Sequence, residues 1–130
     1  MRLSQATDFS LRILMVLAHR KSPATVDEIS TELGLVKSHV MKIVAKLTKS
    51  GILHARRGRS GGVELGRAMD DIKIGDVVRI MEPDFAVVEC MKQGKSSCIF
   101  MPHCKLKGAM NDARISFLET LDQRNLESIL

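Results

Sequence analysis

The sequence predicts a mainly α fold with one small β-hairpin. Three observations predict it. Two amphipathic segments, one opening at Thr25 and one spanning about 38–50, are separated by a short turn that contains Gly34. A strand, a Gly-rich turn and a second strand follow directly over 52–65. A wide apolar stripe at helical spacing then runs over 105–121. Together they describe a winged helix-turn-helix domain with a long C-terminal helix behind it.

Residues 4–19 form the first helix, with Ala6, Phe9, Ile13, Val16 and Leu17 on its apolar stripe and Asp8, Arg12 and Arg20 off it. Lys21-Ser22-Pro23-Ala24 is a loop. Thr25 opens the second helix with Glu28 three residues on, the spacing of a reciprocal capping box. Ile29 and Leu33 face inward, and Gly34 supplies the left-handed stop. The third helix runs from about Ser38 to Ser50, burying Val40, Ile43, Val44 and Leu47, and Gly51 ends it. Ile52–Arg57 and Val63–Leu65 are the hairpin strands, joined through Gly58-Arg59-Ser60-Gly61-Gly62. A short helix spans Ile74–Glu82, with Val77, Val78 and Met81 inward and Pro83 closing it. In the long helix, Leu106, Ala109, Met110, Ala113, Phe117, Leu118 and Leu121 make the stripe. Leu126, Ile129 and Leu130 form a last turn capped by Asn125.

The organisation is therefore a winged helix-turn-helix unit over 1–82, a cysteine loop over 83–104, and a dimerisation helix with a terminal turn over 105–130. A chain of 130 residues suits a single domain, and its 45% hydrophobic content can fill a core. With four Phe, no Trp and no Tyr, the aliphatic residues and eight Met must do the packing. No stretch reaches the roughly 20 apolar residues of a membrane span, and the N-terminus does not read as a signal peptide. A cytoplasmic protein with reduced thiols is expected.

The net charge of +5 matters because of where it lies. Lysines on the third helix and arginines in the hairpin concentrate positive charge in residues 37–67. In such modules the second helix of the pair enters the major groove, led by its N-terminal residues. That points to Lys37, Ser38, His39 and Lys42 against bases and phosphates, and to Arg56, Arg57 and Arg59 on the wing. Arg59, at the wing tip, is best placed for a minor groove. Any one of these is an ordinary surface residue, and His39 reads equally well as either. Their joint order along the chain favours double-stranded DNA.

The three cysteines, Cys90, Cys98 and Cys104, are spaced C-x7-C-x5-C. An odd number of close thiols suits a metal or iron–sulfur centre with one other ligand, and suits a disulfide framework badly. The candidates for that ligand are His103, Glu89, a distant residue such as Asp8, or an exogenous group. His103 and Glu89 each adjoin a cysteine, so joint ligation is awkward. Asp8 has a simpler role open to it, an acid in the first helical turn paired with Arg12 at i+4.

The runs Asp8-Phe9-Ser10-Leu11-Arg12, His39-Val40-Met41-Lys42-Ile43, Arg57 to Gly66 and Ile74-Gly75-Asp76-Val77-Val78, with the three cysteines, resemble the winged-helix iron–sulfur regulators that include NsrR, IscR and RirA. The resemblance covers essentially the whole chain. It is strongest to the nitric-oxide-sensing NsrR group, and it implies that Asp8 completes the cluster of the partner subunit. It also implies a 4Fe–4S cluster, with 2Fe–2S the alternative. IscR-like members use a His three residues after the third cysteine, where this chain has Lys107. Family members often carry Ser as the cap of the recognition helix, where this chain has Val36.

The expectation is thus a homodimeric repressor, joined through Leu106, Met110, Ala113, Phe117 and Leu121, that binds a pseudo-palindromic operator and releases it on meeting nitric oxide. An iron or cluster-status sensor of the RirA kind stands beside it. A zinc protein using Cys90, Cys98, Cys104 and His103, or a metal-free thiol switch, stands in another class. An enzyme is the weakest reading, since no paired carboxylates, nucleophile–base signature or phosphate-binding loop is present.

Overall fold

The computed structural model describes residues 2–94 and 97–130. Among these residues, five helices and one hairpin follow in order: α1 (Gln5–His19), α2 (Val26–Leu33), α3 (Lys37–Lys49), β1 (Leu53–Arg56), β2 (Gly62–Leu65), α4 (Ile74–Met81) and α5 (Lys105–Asp122). Short 3-10 turns lie at Met69–Asp71, Glu89–Met91 and Glu127–Ile129. No helix among the described residues is long and apolar enough to cross a membrane.

The punctuation residues act as their chemistry requires. Thr25 and Glu28 form the reciprocal capping box at the start of α2. Gly34 ends α2 at φ 63°, a left-handed conformation that glycine adopts without steric cost. That turn sets α3 against α2. Val36 precedes α3 with no side-chain cap bond, and the helix begins at Lys37, one residue before the expected Ser38.

One core holds these elements together. Ile13, Leu14 and Leu17 of α1 meet Ile29 of α2, Val40, Ile43 and Leu47 of α3, Val63 of β2 and Val77 of α4. The apolar stripe of α1 is rotated from the expected one. Thr7, Ser10, Ile13, Leu14 and Leu17 are its buried residues, while Ala6, Phe9 and Val16 are only half-buried. The sequence hid this because the buried face includes two hydroxyl residues. Ser10 is accommodated by donating to the Thr7 carbonyl at 2.7 Å.

The hairpin pairs Leu53 with Leu65 and Arg56 with Gly62 in antiparallel register. Ala24, expected in a plain loop, adds a bridge to its far side: its N–H donates to the Val63 carbonyl at 2.9 Å and its carbonyl accepts from Val63 at 2.8 Å. A Cβ on Gly62 would stand 2.6 Å from the Ala24 carbonyl oxygen, and Gly62 has φ 149°. Only glycine lets the two backbones approach that closely.

α4 buries Ile74, Gly75, Val77, Val78 and Met81. Gly75 lies against Asp122, so α4 and the end of α5 cross in close contact. Arg79 clamps the crossing with two bonds of 2.6 Å to the Asp122 carboxylate. Beyond α5 the chain returns to the core, where Leu126 is fully buried. Asn125 caps the terminal turn by accepting from Ser128 at 2.9 Å. Ile129 and Leu130, in the same terminal turn, are exposed. α5 itself has no buried residue along its length.

Candidate DNA-binding face and cysteine segment

The basic residues expected to meet DNA are exposed. Lys37, Ser38, His39 and Lys42 on the first turns of α3, and Arg56, Arg57 and Arg59 on the hairpin, are all exposed. Two of them already hold carboxylates: Lys37 lies 2.7 Å from Asp27 and Arg56 lies 3.6 Å from Glu64. Both contacts are on the surface, where such pairs are weak, so phosphates can displace them.

The hairpin is fixed to α3 by groups that the basic pattern alone does not reveal. Arg67 donates to the Ser50 carbonyl at 2.9 Å and to the Gly51 carbonyl at 3.2 Å. Its cation thus meets the negative end of α3. Gly66 donates to Ile52 at 2.8 Å. With the Ala24–Val63 bridge on the other side, the wing and recognition helix are held at one angle. Arg67 lies inside the basic run, but its hydrogen bonds go to the protein.

Among its described residues, the segment that carries the cysteines has none buried. Cys90 and Cys104 are half-buried, and Cys98 is exposed. Cys90 sits in a 3-10 turn, and Cys104 immediately precedes α5. Cys90 and Cys98 line one open depression of about 480 Å³. Among the described residues, no three His, Cys, Asp or Glu side chains converge on a common point. The donor chemistry, three thiols with two facing one depression, fits a soft-metal or iron–sulfur centre. His103 is exposed in the same segment, and Glu89 pairs with Lys92 at 2.8 Å.

Asp8 lies in the first turn of α1, on the wall of a separate shallow depression with Arg2, Leu3, Ser4 and Gln5. Its carboxylate is gripped by Arg12, 2.8 Å from Nη2 and 3.2 Å from Nε. The structure therefore brings Asp8 to Arg12, and among the described residues it lies in no group of three potential metal ligands.

A residue that the sequence did not single out sits between these parts. Glu82 follows α4 and precedes the cysteine segment, and its carboxylate reaches the start of α1. It accepts from the Ser4 N–H at 2.8 Å, from the Ser4 hydroxyl at 2.6 Å and from the Thr7 hydroxyl. Burial pushes its carboxyl up, but the bonds from Ser4 and Thr7 prevail and hold it below the usual glutamate value. Asp122 is also held low, chiefly by the hydrogen bonds from Arg79.

An exposed basic recognition helix, a wing braced against it, and a core that orients both define a winged helix-turn-helix regulator of transcription. A family model described as "Iron-dependent Transcriptional regulator" matches residues 3–130. The chain belongs to this Rrf2 family. It is 41% identical to the HTH-type transcriptional regulator NsrR of Bacillus licheniformis, across 100% of this chain and 92% of that protein. It is 37% identical to NsrR of Bacillus subtilis, with 100% and 90% covered. Among solved structures, the cysteine regulator CymR of B. subtilis superposes with a TM-score of 0.78 at 24% identity, covering 99% of this chain and 95% of that one. IscR of T. potens gives 0.77 at 24% identity, with 99% and 85% covered.

Proposed function

We propose that this regulator is a homodimeric repressor whose operator binding is controlled by an iron–sulfur cluster and released by nitric oxide. One observation carries the proposal. Exposed basic side chains lie on elements packed into the core, while three thiols lie in a segment with no buried residue among those described, which leads straight into a helix with none buried.

Cys90, Cys98 and Cys104 would hold the cluster, of the 4Fe–4S type by resemblance. When bound, the cluster supplies iron on which an oxygen ligand exchanges more readily than a thiolate, giving a small ligand a point of entry. Asp8 is the assigned oxygen donor, reaching the partner subunit's cluster. Asp8 has a second partner ready in Arg12, so its carboxylate keeps an ion pair in either situation. Its choice of partner biases the start of α1, which packs against α3 and α4. A bias of about 3 kcal/mol changes affinity more than a hundredfold, enough to vacate an operator.

Dimerisation is assigned to α5. On a helix of 18 residues with none buried, Leu106 is 60% exposed, and Met110, Ala113, Phe117 and Leu121 of the same stripe are exposed or half-buried. Such an apolar surface is costly in water. An apolar groove of about 520 Å³ between Leu3, Phe85, Val87, Ala113 and Phe117 continues that face towards the cysteine segment. A second copy covering both would present two recognition helices to a pseudo-palindromic site.

The test is anaerobic purification followed by a gel shift. The brown protein should shift a DNA duplex that it has itself selected from a random pool, and nitric oxide should abolish the shift. Colourless anaerobic protein would favour the zinc or thiol-switch reading. A shift that survives nitric oxide but responds to iron chelation would favour an iron sensor.

A further inference from the structure

We propose that Glu82 is a positioning residue that ties the start of the cysteine segment to the first turn of α1, so that the state of the segment is passed to Asp8 and to the DNA-binding core. The proposal rests on the reading that the segment holds the sensing centre, and it adds the route by which that centre is heard.

The geometry is specific. Ser4 is the N-cap of α1: its hydroxyl accepts from the Thr7 N–H at 3.3 Å, and its carbonyl accepts from the Asp8 N–H at 3.0 Å. The helix cap is therefore complete without help from elsewhere in the chain. Glu82 is nonetheless brought across 78 sequence positions to accept from both the backbone and the hydroxyl of Ser4. It also accepts from the hydroxyl of Thr7, which is fully buried. A carboxylate at a helix N-terminus is electrostatically favoured, and these are charge-assisted bonds. Asp8 is the residue after Thr7, so the carboxylate and the candidate ligand share one helical turn.

The other end of the contact is equally placed. Glu82 directly precedes Pro83, where the cysteine segment begins, and it lines the apolar groove with Phe85 and Val87. Three residues upstream, Arg79 grips Asp122 at the far end of α5. Two charged side chains at the end of α4 thus reach outward: Arg79 to the end of α5, and Glu82, just past the helix, to the start of α1. A shift of the segment that withdraws Glu82 strips three bonds from the first turn of α1. A shift that leaves Glu82 in place leaves α1 where it is.

The test compares wild-type protein with Glu82→Gln and Ser4→Ala, each reconstituted anaerobically and each also prepared cluster-free. Affinity for the self-selected duplex is measured in both forms. The ratio of the two affinities reads the coupling. Hydrogen exchange of the amides in residues 4–8 is measured on the cluster-free proteins. The expected result for Glu82→Gln is unchanged cysteine-bound visible absorbance, at least tenfold faster exchange in that turn, and a ratio reduced at least tenfold. Ser4→Ala removes one hydroxyl donor to Glu82 and also the cap acceptor of the Thr7 N–H, so its readout is the affinity ratio and not the exchange; that ratio should fall between the Glu82 variant and wild type, and it keeps the test open if the Glu82 variant folds poorly. Wild-type ratios in both variants, with wild-type exchange in Glu82→Gln, would overturn the proposal. A wild-type ratio of one would instead overturn the sensing role of the segment, a failure visible without any variant.

Discussion

Arg12 holds Asp8 across one turn of α1 with two contacts, 2.8 Å from Nη2 and 3.2 Å from Nε. Both side chains are about half exposed, so the pair is a surface i,i+4 pair in its energetics. Its contribution to folding is about 0.3–0.5 kcal/mol. Asp8→Ala should therefore lower the melting temperature by less than about 3 °C. The same substitution should change the visible spectrum or the nitric oxide reactivity of the reconstituted protein. A drop of ten degrees in a thermal melt would assign Asp8 to the fold and not to the centre.

Gly62 and Ala24 make a second relationship with a sharp consequence. Gly62→Ala places a methyl group 2.6 Å from a carbonyl oxygen, in a backbone conformation that L-residues rarely adopt. The cost should be about 2 kcal/mol, read by urea unfolding. Gly58→Ala is the control. Its φ of 109° is equally unusual, but nothing stands within 4 Å of the new Cβ. It should cost about 1 kcal/mol, and DNA binding should survive it better. Equal losses for the two would mean that contact with Ala24 does not set the wing.

The element order, the capping box, the Gly34 turn and the exposed basic face were legible because each rests on local chemistry. Thr25 and Glu28 are three residues apart, and Gly34 adjoins the helix it ends. The unread features are all contacts between distant residues. The hydroxyls of Thr7 and Ser10 look solvated in sequence, yet they lie on the buried face of α1 because Glu82 and a backbone carbonyl satisfy them. Arg67 looks like one more DNA cation until the carbonyls of Ser50 and Gly51 appear beside it. The position of Asp8 against Arg12 was legible from its i+4 spacing. Its reach to a cluster rests on resemblance, because a ligand supplied by another chain leaves no local pattern.

Glu82 should make stability depend on pH with a definite sign. Its carboxyl is held below the usual value in the folded protein, so the unfolded chain binds the proton more readily. The stabilisation is complete above the unfolded value of about 4.3 and is lost as the pH falls through the lower folded value. Gln at this position mimics the protonated side chain. The stability difference between wild type and Glu82→Gln, measured by urea unfolding, should be largest near pH 7 and shrink below about pH 4. A difference that stays constant from pH 7 to pH 3 would show that the charge on Glu82 is not what Ser4 and Thr7 recognise.

Arg59 and Arg67 are eight positions apart in one basic stretch, and salt should separate them. Arg59 is exposed in the turn between the hairpin strands, whereas Arg67 is engaged with the end of α3. A side chain that neutralises one phosphate contributes about 0.9 to the slope of log affinity against log salt. Arg59→Ala should therefore weaken binding and lower that slope by about one unit. Arg67→Ala should act first on the protein. It strips two donors from the carbonyls that close α3, so stability falls by about 1 kcal/mol even without DNA, read as a lower melting temperature. Arg67→Lys keeps the charge but not the planar fork that reaches both carbonyls, so it should not restore the loss. If Arg67→Ala left the free protein as stable as wild type and lowered only the salt slope, Arg67 would be a phosphate contact, and the wing would owe its angle to the Ala24 bridge and the Gly66–Ile52 bond.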